Sequence, residues 1–318
     1  MSGVKPNRPG TDVDICVCTY RRPELENTLL SIGTLAVPDG VAVRVIVADN
    51  DDVPSARALV ERLRPRLPFA ILYLHAPASN ISIARNACLD NGMGDFLAFV
   101  DDDETVSREW LRELTAIALE TGAEAVLGPV RAVYRENAPR WMRKGDFHST
   151  LPVWVKGEIR TGYTCNVLLR RSASRLDRRR FNLALGRTGG EDTEYFSRLH
   201  QDGGTIAYAP KALVLEPVPE NRAGFSWLAK RRFRMGQTHG RLRGEGRNAA
   251  GLTREIGVAA AKVGYCLVNA IVSSLFPIRR NRAILRLLLH TGAIGGLLGV
   301  SELRLYGEEA REARGNAG

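Results

Sequence analysis

The sequence predicts an α/β fold with a mostly parallel sheet, helices on both of its faces, and a helical region after it. Three observations carry this. Short apolar runs ending in polar tips recur with helical stretches between them. One of them, Phe96 to Val100, is apolar at every position, as a strand buried on both faces must be. Beyond Asn221 the alternation gives way to two long apolar segments. Strand, polar tip and helix in repetition is the pattern of right-handed crossovers.

Val13 to Cys18 reads as the first strand, ending at Thr19-Tyr20-Arg21-Arg22. Pro23 and Glu24 then open a helix with Leu25, Thr28, Leu29 and Ile32 on one face. Val41 to Ala48 is the second strand, ending at Asp49-Asn50-Asp51-Asp52, with Pro54 starting the helix behind it. Ala70 to Leu74 leads through Ser79-Asn80 into a helix containing Ile83, Ala84, Ala87 and Cys88. The fourth strand, Phe96 to Val100, stops at Asp101-Asp102-Asp103-Glu104. Helix Ser107 to Glu120 and strand Ala123 to Val130 follow, and regularity then fails from Arg131 to Arg160. Tyr163 to Arg170 reads as a strand, and Gly189-Gly190-Glu191-Asp192 opens a helix reaching about His200. Thr205 to Tyr208 and Ala212 to Glu216 complete the globular part.

The length of 318 residues suits one large α/β domain with an appendage. A net charge of +10 calls for an anionic partner: nucleotide phosphates, an acidic lipid surface or nucleic acid. Nucleic acid has only net charge behind it, with no aromatic-basic motif in support. The five cysteines are odd in number and include no Cys-x-x-Cys pair, which points to a reducing compartment and away from zinc. Residues 1 to 12 are polar, so no signal peptide is expected and the protein is placed in the cytoplasm.

The acidic tip is the chemical centre. Ligands of open α/β sheets gather beyond the carboxyl ends of the strands. Carboxylates crowded there suit Mg²⁺ or Mn²⁺ bridging to phosphates, and Asp101 and Asp103 have the spacing to share one ion. A solvated turn capping the next helix is the plainer reading of the same residues.

Thr19-Tyr20-Arg21-Arg22, Val47-Ala48-Asp49-Asn50, Asn80 to Asn86, Asp101 to Asp103 and Gly190-Glu191-Asp192 stand in one order, and in that order the chain resembles glycosyltransferase family 2. The likeness runs from about Asp12 to Pro217 and is nearest to bacterial exopolysaccharide transferases of the succinoglycan type. It implies the GT-A fold, inversion at the transferred sugar, and a nucleotide-sugar donor such as UDP-glucose. It implies donor contacts from Thr19, Tyr20, Arg22, Asp49, Arg85, Asp101 and Asp102, with Asp103 and Asp101 at the metal. It makes Asp192 the base, with Glu191 orienting base or acceptor. Chemically these roles suit a carboxylate accepting an imide proton and a guanidinium pairing with phosphate. Arg231-Arg232 after Trp227 stands where processive relatives carry Gln-x-x-Arg-Trp, so Arg232 is assigned to the diphosphate and a single addition per encounter is expected.

The expected division is a catalytic domain over 1–220, with a flexible 1–12 and an irregular acceptor-side segment 131–160. A basic helix and linker over 221–252, an amphipathic hairpin over 253–300 and a polar tail over 301–318 follow. Glu255, Lys262, Asn269 and Ser273 stripe one segment of the hairpin, and Arg279, Arg282, Arg286 and His290 the other. Such stripes suit helices lying on an anionic membrane at the inner face of the cell membrane. The acceptor expected there is a polyprenyl-diphosphate-linked sugar or an oligosaccharide. Two rivals remain at this level: a haloacid-dehalogenase-like phosphatase using Asp101 and Asp103, and a membrane-bound scaffold that binds nucleotide sugars without turnover.

Overall fold

The computed structural model describes residues 11 to 303. Most of the expected flexible N-terminus and polar tail lie outside them. The chain forms two compact units. The first comprises 1–131, 149–186 and 191–216, and the second 132–148, 187–190 and 217–318.

The first unit is built on a seven-stranded sheet in the order Ile206–Tyr208, Ala125–Leu127, Asn166–Arg170, Phe96–Asp101, Thr11–Thr19, Val41–Asp49, Ala70–His75. The four strands up to Asp101 are mutually parallel, as expected from their crossovers. Asn166–Arg170 runs antiparallel to both of its neighbours. Alternate residues of the central strands serve different cores. Val13, Ile15, Val17, Val45 and Val47 pack with helix Leu25–Ile32 on one face. Cys16, Ile46 and Ala48 pack with Ala84, Cys88, Tyr195 and Phe196 on the other. Each face needs its own apolar set, so the strands read as unbroken hydrophobic runs. The irregular segment contains a two-residue ladder, Trp154–Val155 against Glu158–Ile159. Its turn, Lys156-Gly157, has positive φ at both positions, the backbone that matches the strand twist in tight hairpins.

The second unit is dominated by helices Phe225–Gly244, Ala249–Val272 and Pro277–Leu297. The basic helix and linker expected over 221–252 are mostly helical, with only 245–248 between the two helices. Packing explains this. A Cβ on Gly240 would stand 2.0 Å from the Ala293 carbonyl oxygen, and one on Gly236 2.0 Å from that of Leu289. A Cβ on Gly292 or Gly296 would likewise stand 2.0 Å from the carbonyl oxygen of Phe233 or Gln237. Two Gly-x-x-x-Gly stretches thus let two backbones touch, and close packing outweighs the poor helix propensity of glycine.

Candidate active site

Three strand tips lie side by side on one edge of the sheet. Thr19 is in register with Asp49, and Cys18 with Asp101. Adjacent strands are about 4.8 Å apart, so residues separated by more than eighty positions share one rim. Asp49 is fully buried. Its carboxylate accepts hydrogen bonds from the Asp51 N–H at 3.1 Å, the Ala56 N–H at 2.8 Å and the Tyr73 hydroxyl at 2.7 Å. It therefore shapes the loop after its strand. Asn50 fixes the next element, accepting from the Asn80 N–H at 2.5 Å and donating to the Asn80 carbonyl at 2.9 Å. Asn80 in turn caps helix Ile81–Asn91, which carries Arg85.

The acidic turn is tied down from below. The Thr28 hydroxyl lies 2.9 Å from the Asp102 carbonyl and 2.6 Å from that of Glu104, and the Glu104 carboxylate accepts from the Asp101 N–H at 3.0 Å. Tyr20 N–H reaches Asp102 at 3.4 Å, while Arg22 lies 4.0 Å from Asp102 and 3.6 Å from Asp103. Desolvation, followed by the neighbouring carboxylates, pushes Asp102 up to about 7. Desolvation does the same to Asp101, against the pull of Arg85. Glu104 is also raised by burial and by Asp101. Carboxylates so short of counter-charge fit a divalent cation. Ligand atoms of Asp101, Glu104 and Cys165 all lie within 4.8 Å of one another.

Arg85 joins this rim to a helix from the far end of the unit. Its Nη1 bonds the Glu191 carboxylate, and its Nη2 lies 3.9 Å from Asp101. Burial opposes the charge on Arg85, yet Glu191, Asp101 and Asp192 outweigh it and raise its pKa. The guanidinium also lies over the Phe181 ring, 5.6 Å from its centroid. Asp192, in the first turn of helix Glu191–Gln201, accepts from the Thr193 N–H at 2.6 Å, and its charge is felt at Arg85, Glu191 and Cys165.

Residues 14–176 match the model of glycosyl transferase family 2. Over 300 residues the chain is 63% identical to succinoglycan biosynthesis protein ExoM of Rhizobium meliloti, covering 94% of this chain and 96% of that protein. The chain belongs to glycosyltransferase family 2. A more distant relative is the glucosyl-dolichyl phosphate glucuronosyltransferase of Haloferax volcanii, 26% identical over 243 residues, which cover 70% of this chain and 75% of that one. Among solved structures, the mannosyltransferase PcManGT of Pyrobaculum calidifontis, in complex with GDP-Man and Mn²⁺, superposes with a TM-score of 0.61 at 18% identity. That match covers 92% of this chain and 88% of the mannosyltransferase, and it bears out the GT-A fold expected from the sequence.

Membership of family 2 removes the phosphatase reading of Asp101 and Asp103. In this family 2 chain, Thr19, Tyr20, Arg22, Asp49, Asp101, Asp102 and Asp103 stand at adjoining strand tips, and Arg85 links Asp101 to Glu191. Arg232 belongs to the second unit, on helix Phe225–Gly244. Glu104, legible only as the end of the acidic run, is joined at this edge by Cys165 and Asn166, which no sequence pattern marks. The Asn166 side chain accepts from Trp110 Nε1 at 2.8 Å and donates to the carbonyls of Pro129 and Ala212, fixing the strand start beside Cys165.

Proposed function

We propose that this chain is an inverting, non-processive glycosyltransferase that moves one hexose from UDP-glucose to a saccharide acceptor in bacterial exopolysaccharide assembly. The acceptor is carried on a polyprenyl diphosphate. The observation that carries the reading is the Arg85 guanidinium, set between Asp101 on the donor side and Glu191 beside Asp192. The 63% identical relative, named for succinoglycan biosynthesis, supports the pathway class. The missing Gln-x-x-Arg-Trp signature supports single addition.

Thr19, Tyr20 and Arg22 line the donor cleft. Asp49 shapes the base-binding loop, Asp101 and Asp102 face the ribose, and Arg85 faces the diphosphate. Asp101 and Asp103 would hold a divalent ion, Mg²⁺ or Mn²⁺, which would supply Lewis-acid neutralisation of the diphosphate. Asp192 accepts the acceptor hydroxyl proton as that oxygen bonds to the anomeric carbon. The bond from this carbon to the diphosphate oxygen breaks, and the nucleoside diphosphate leaves with its electron pair. Attack opposite the leaving group inverts the anomeric centre. Glu191 orients the helix that bears the base. Exposed Trp154, on its hairpin, offers an acceptor sugar a face to stack on.

Peripheral attachment at the cytoplasmic face completes the reading. Helix Ala249–Val272 is long and apolar enough to cross a membrane. Its far end and the following turn expose Tyr265, Val268, Ile271, Val272, Leu275 and Phe276, with basic Arg279 and Arg280 next in the chain. An apolar face flanked by arginines suits insertion among anionic headgroups. Purified protein given UDP-glucose, Mn²⁺ and lipid-linked acceptor should yield a lengthened glycolipid with inverted linkage by NMR. A retained configuration, or glucose release with no acceptor product, would contradict the reading.

A further inference from the structure

Helix Pro277–Leu297 and helix Phe225–Gly244 bring together cations that form no ion pair among the described residues. Gly236 lies against Leu289 and Gly240 against Ala293, so the two helices run in parallel register. Arg232 and Arg286 each stand about one turn before that contact, on facing helices. Arg231 lies over the Trp227 ring, 5.2 Å from its centroid, and Trp227 stacks on His148 at 5.4 Å. Among the described residues, none of Arg231, Arg232 and Arg286 makes a hydrogen bond or an ion pair.

The acids of this stretch are engaged elsewhere. Between Pro217 and Leu303 they are Glu220, Glu245, Glu255 and Glu302. Glu220 faces Arg135, Glu245 and Glu302 face Arg241, and Glu255 faces Arg243 and Arg247. Burial lowers the Arg232 pKa, and the charges of Arg231 and Arg286 add to that. A half-buried guanidinium beside two others is costly unless an anion completes the set.

We propose that Arg231, Arg232 and Arg286 form the binding site for the diphosphate of the lipid carrier that bears the acceptor. The inference rests on the reading of the chain as a transferase with a carrier-linked acceptor, and adds which residues hold the carrier. Planar guanidinia give paired hydrogen bonds to phosphate oxygens, which a diphosphate can accept from several at once. The donor's diphosphate has counter-charge of its own in the first unit, from Arg85 and from the divalent ion that the acidic turn would hold. Phe276, exposed just before helix Pro277–Leu297, is ten residues from Arg286, or ~15 Å along a helix. That places the arginine cluster about three helical turns from an aromatic able to enter the apolar layer of a membrane.

The test uses full-length protein and three vesicle types: phosphatidylcholine alone, phosphatidylcholine with polyprenyl diphosphate, and phosphatidylcholine with phosphatidylglycerol at matched charge. Wild type should prefer the diphosphate vesicles over the phosphatidylglycerol ones by about tenfold, as one or two charge-assisted hydrogen bonds provide. The double variant Arg231→Gln/Arg286→Gln should lose that preference, with UDP-glucose affinity unchanged and melting no earlier than wild type. Arg232→Lys should keep part of it. Equal wild-type binding to both anionic vesicles would overturn the proposal, as would a loss confined to UDP-glucose affinity or a double variant that melts early. Vesicle binding is read without turnover, so absence of sugar transfer would count against the proposed function and leave this result standing.

Discussion

Arg85 and Glu191 form a buried ion pair between helix Ile81–Asn91 and the first turn of helix Glu191–Gln201, with 8% and 7% of their side chains exposed. One lies in the first third of the chain and the other well past its middle, so the pair ties helix Glu191–Gln201 to the rim that carries Asp101.

Removing one partner strands the other without counter-charge in a dry place. Arg85→Gln should cost roughly 3–5 kcal/mol in chemical denaturation, as broken buried pairs do. The double change Arg85→Met/Glu191→Leu should recover much of the stability and none of the transfer activity. An Arg85→Gln loss under about 0.5 kcal/mol would mean that the pair is not a buried one.

The acidic turn sets a pH dependence for metal-free protein. Asp101 and Asp102 are pushed up to about 7, well above unfolded carboxyls, so the folded state holds more protons through this range. The stability this contributes is complete below the unfolded values and is lost as pH rises through about 7. Melting temperature in EDTA should therefore fall from about pH 4.5 to about pH 7.5, between the unfolded and folded values, and level off above it. Saturating Mn²⁺ should flatten the fall. A rising EDTA curve would show that these groups are already compensated.

How much of this the sequence discloses depends on strand direction. Thr19, Asp49 and Asp101 are legible because a parallel strand shows its carboxyl end to the ligand edge, and the apolar runs mark where each strand stops. Cys165 and Asn166 escape the same logic. Their strand is antiparallel, with Asn166 in register with Val100, so its beginning faces that edge and its end at Arg170 faces away. The Asx pair Asn50–Asn80 joins loops thirty residues apart, and no local pattern announces it. The helical linker was hidden for another reason. Glycines at Gly236, Gly240 and Gly244 signal a break locally, and only the partner helix makes two of them compulsory.

The same glycines make a contrast. At Gly292 an added Cβ would meet the Phe233 carbonyl at 2.0 Å, whereas at Gly257 nothing lies within 4 Å. Gly292→Ala should destabilise the helical unit by about 1–3 kcal/mol through overpacking. Gly257→Ala should stabilise it by about 0.5–1 kcal/mol, the helix-propensity gain. Circular dichroism melts of the two variants compare them directly, and equal shifts would exclude the close approach.

The proposed membrane attachment turns on the apolar face near Phe276. Ile271, Val272 and Leu275 are 66%, 75% and 87% exposed. Replacing Ile271 and Leu275 with Glu should release the protein from anionic vesicles in flotation, with the fold intact by circular dichroism. Undiminished flotation would place the contact elsewhere.

The account stands or falls on Asp192 as the group that takes the acceptor proton. Asp192→Asn should bind UDP-glucose and Mn²⁺ in calorimetry as wild type does, while single-turnover transfer to the lipid-linked acceptor falls by roughly 10²–10⁴-fold. Transfer at the wild-type rate by Asp192→Asn would contradict it.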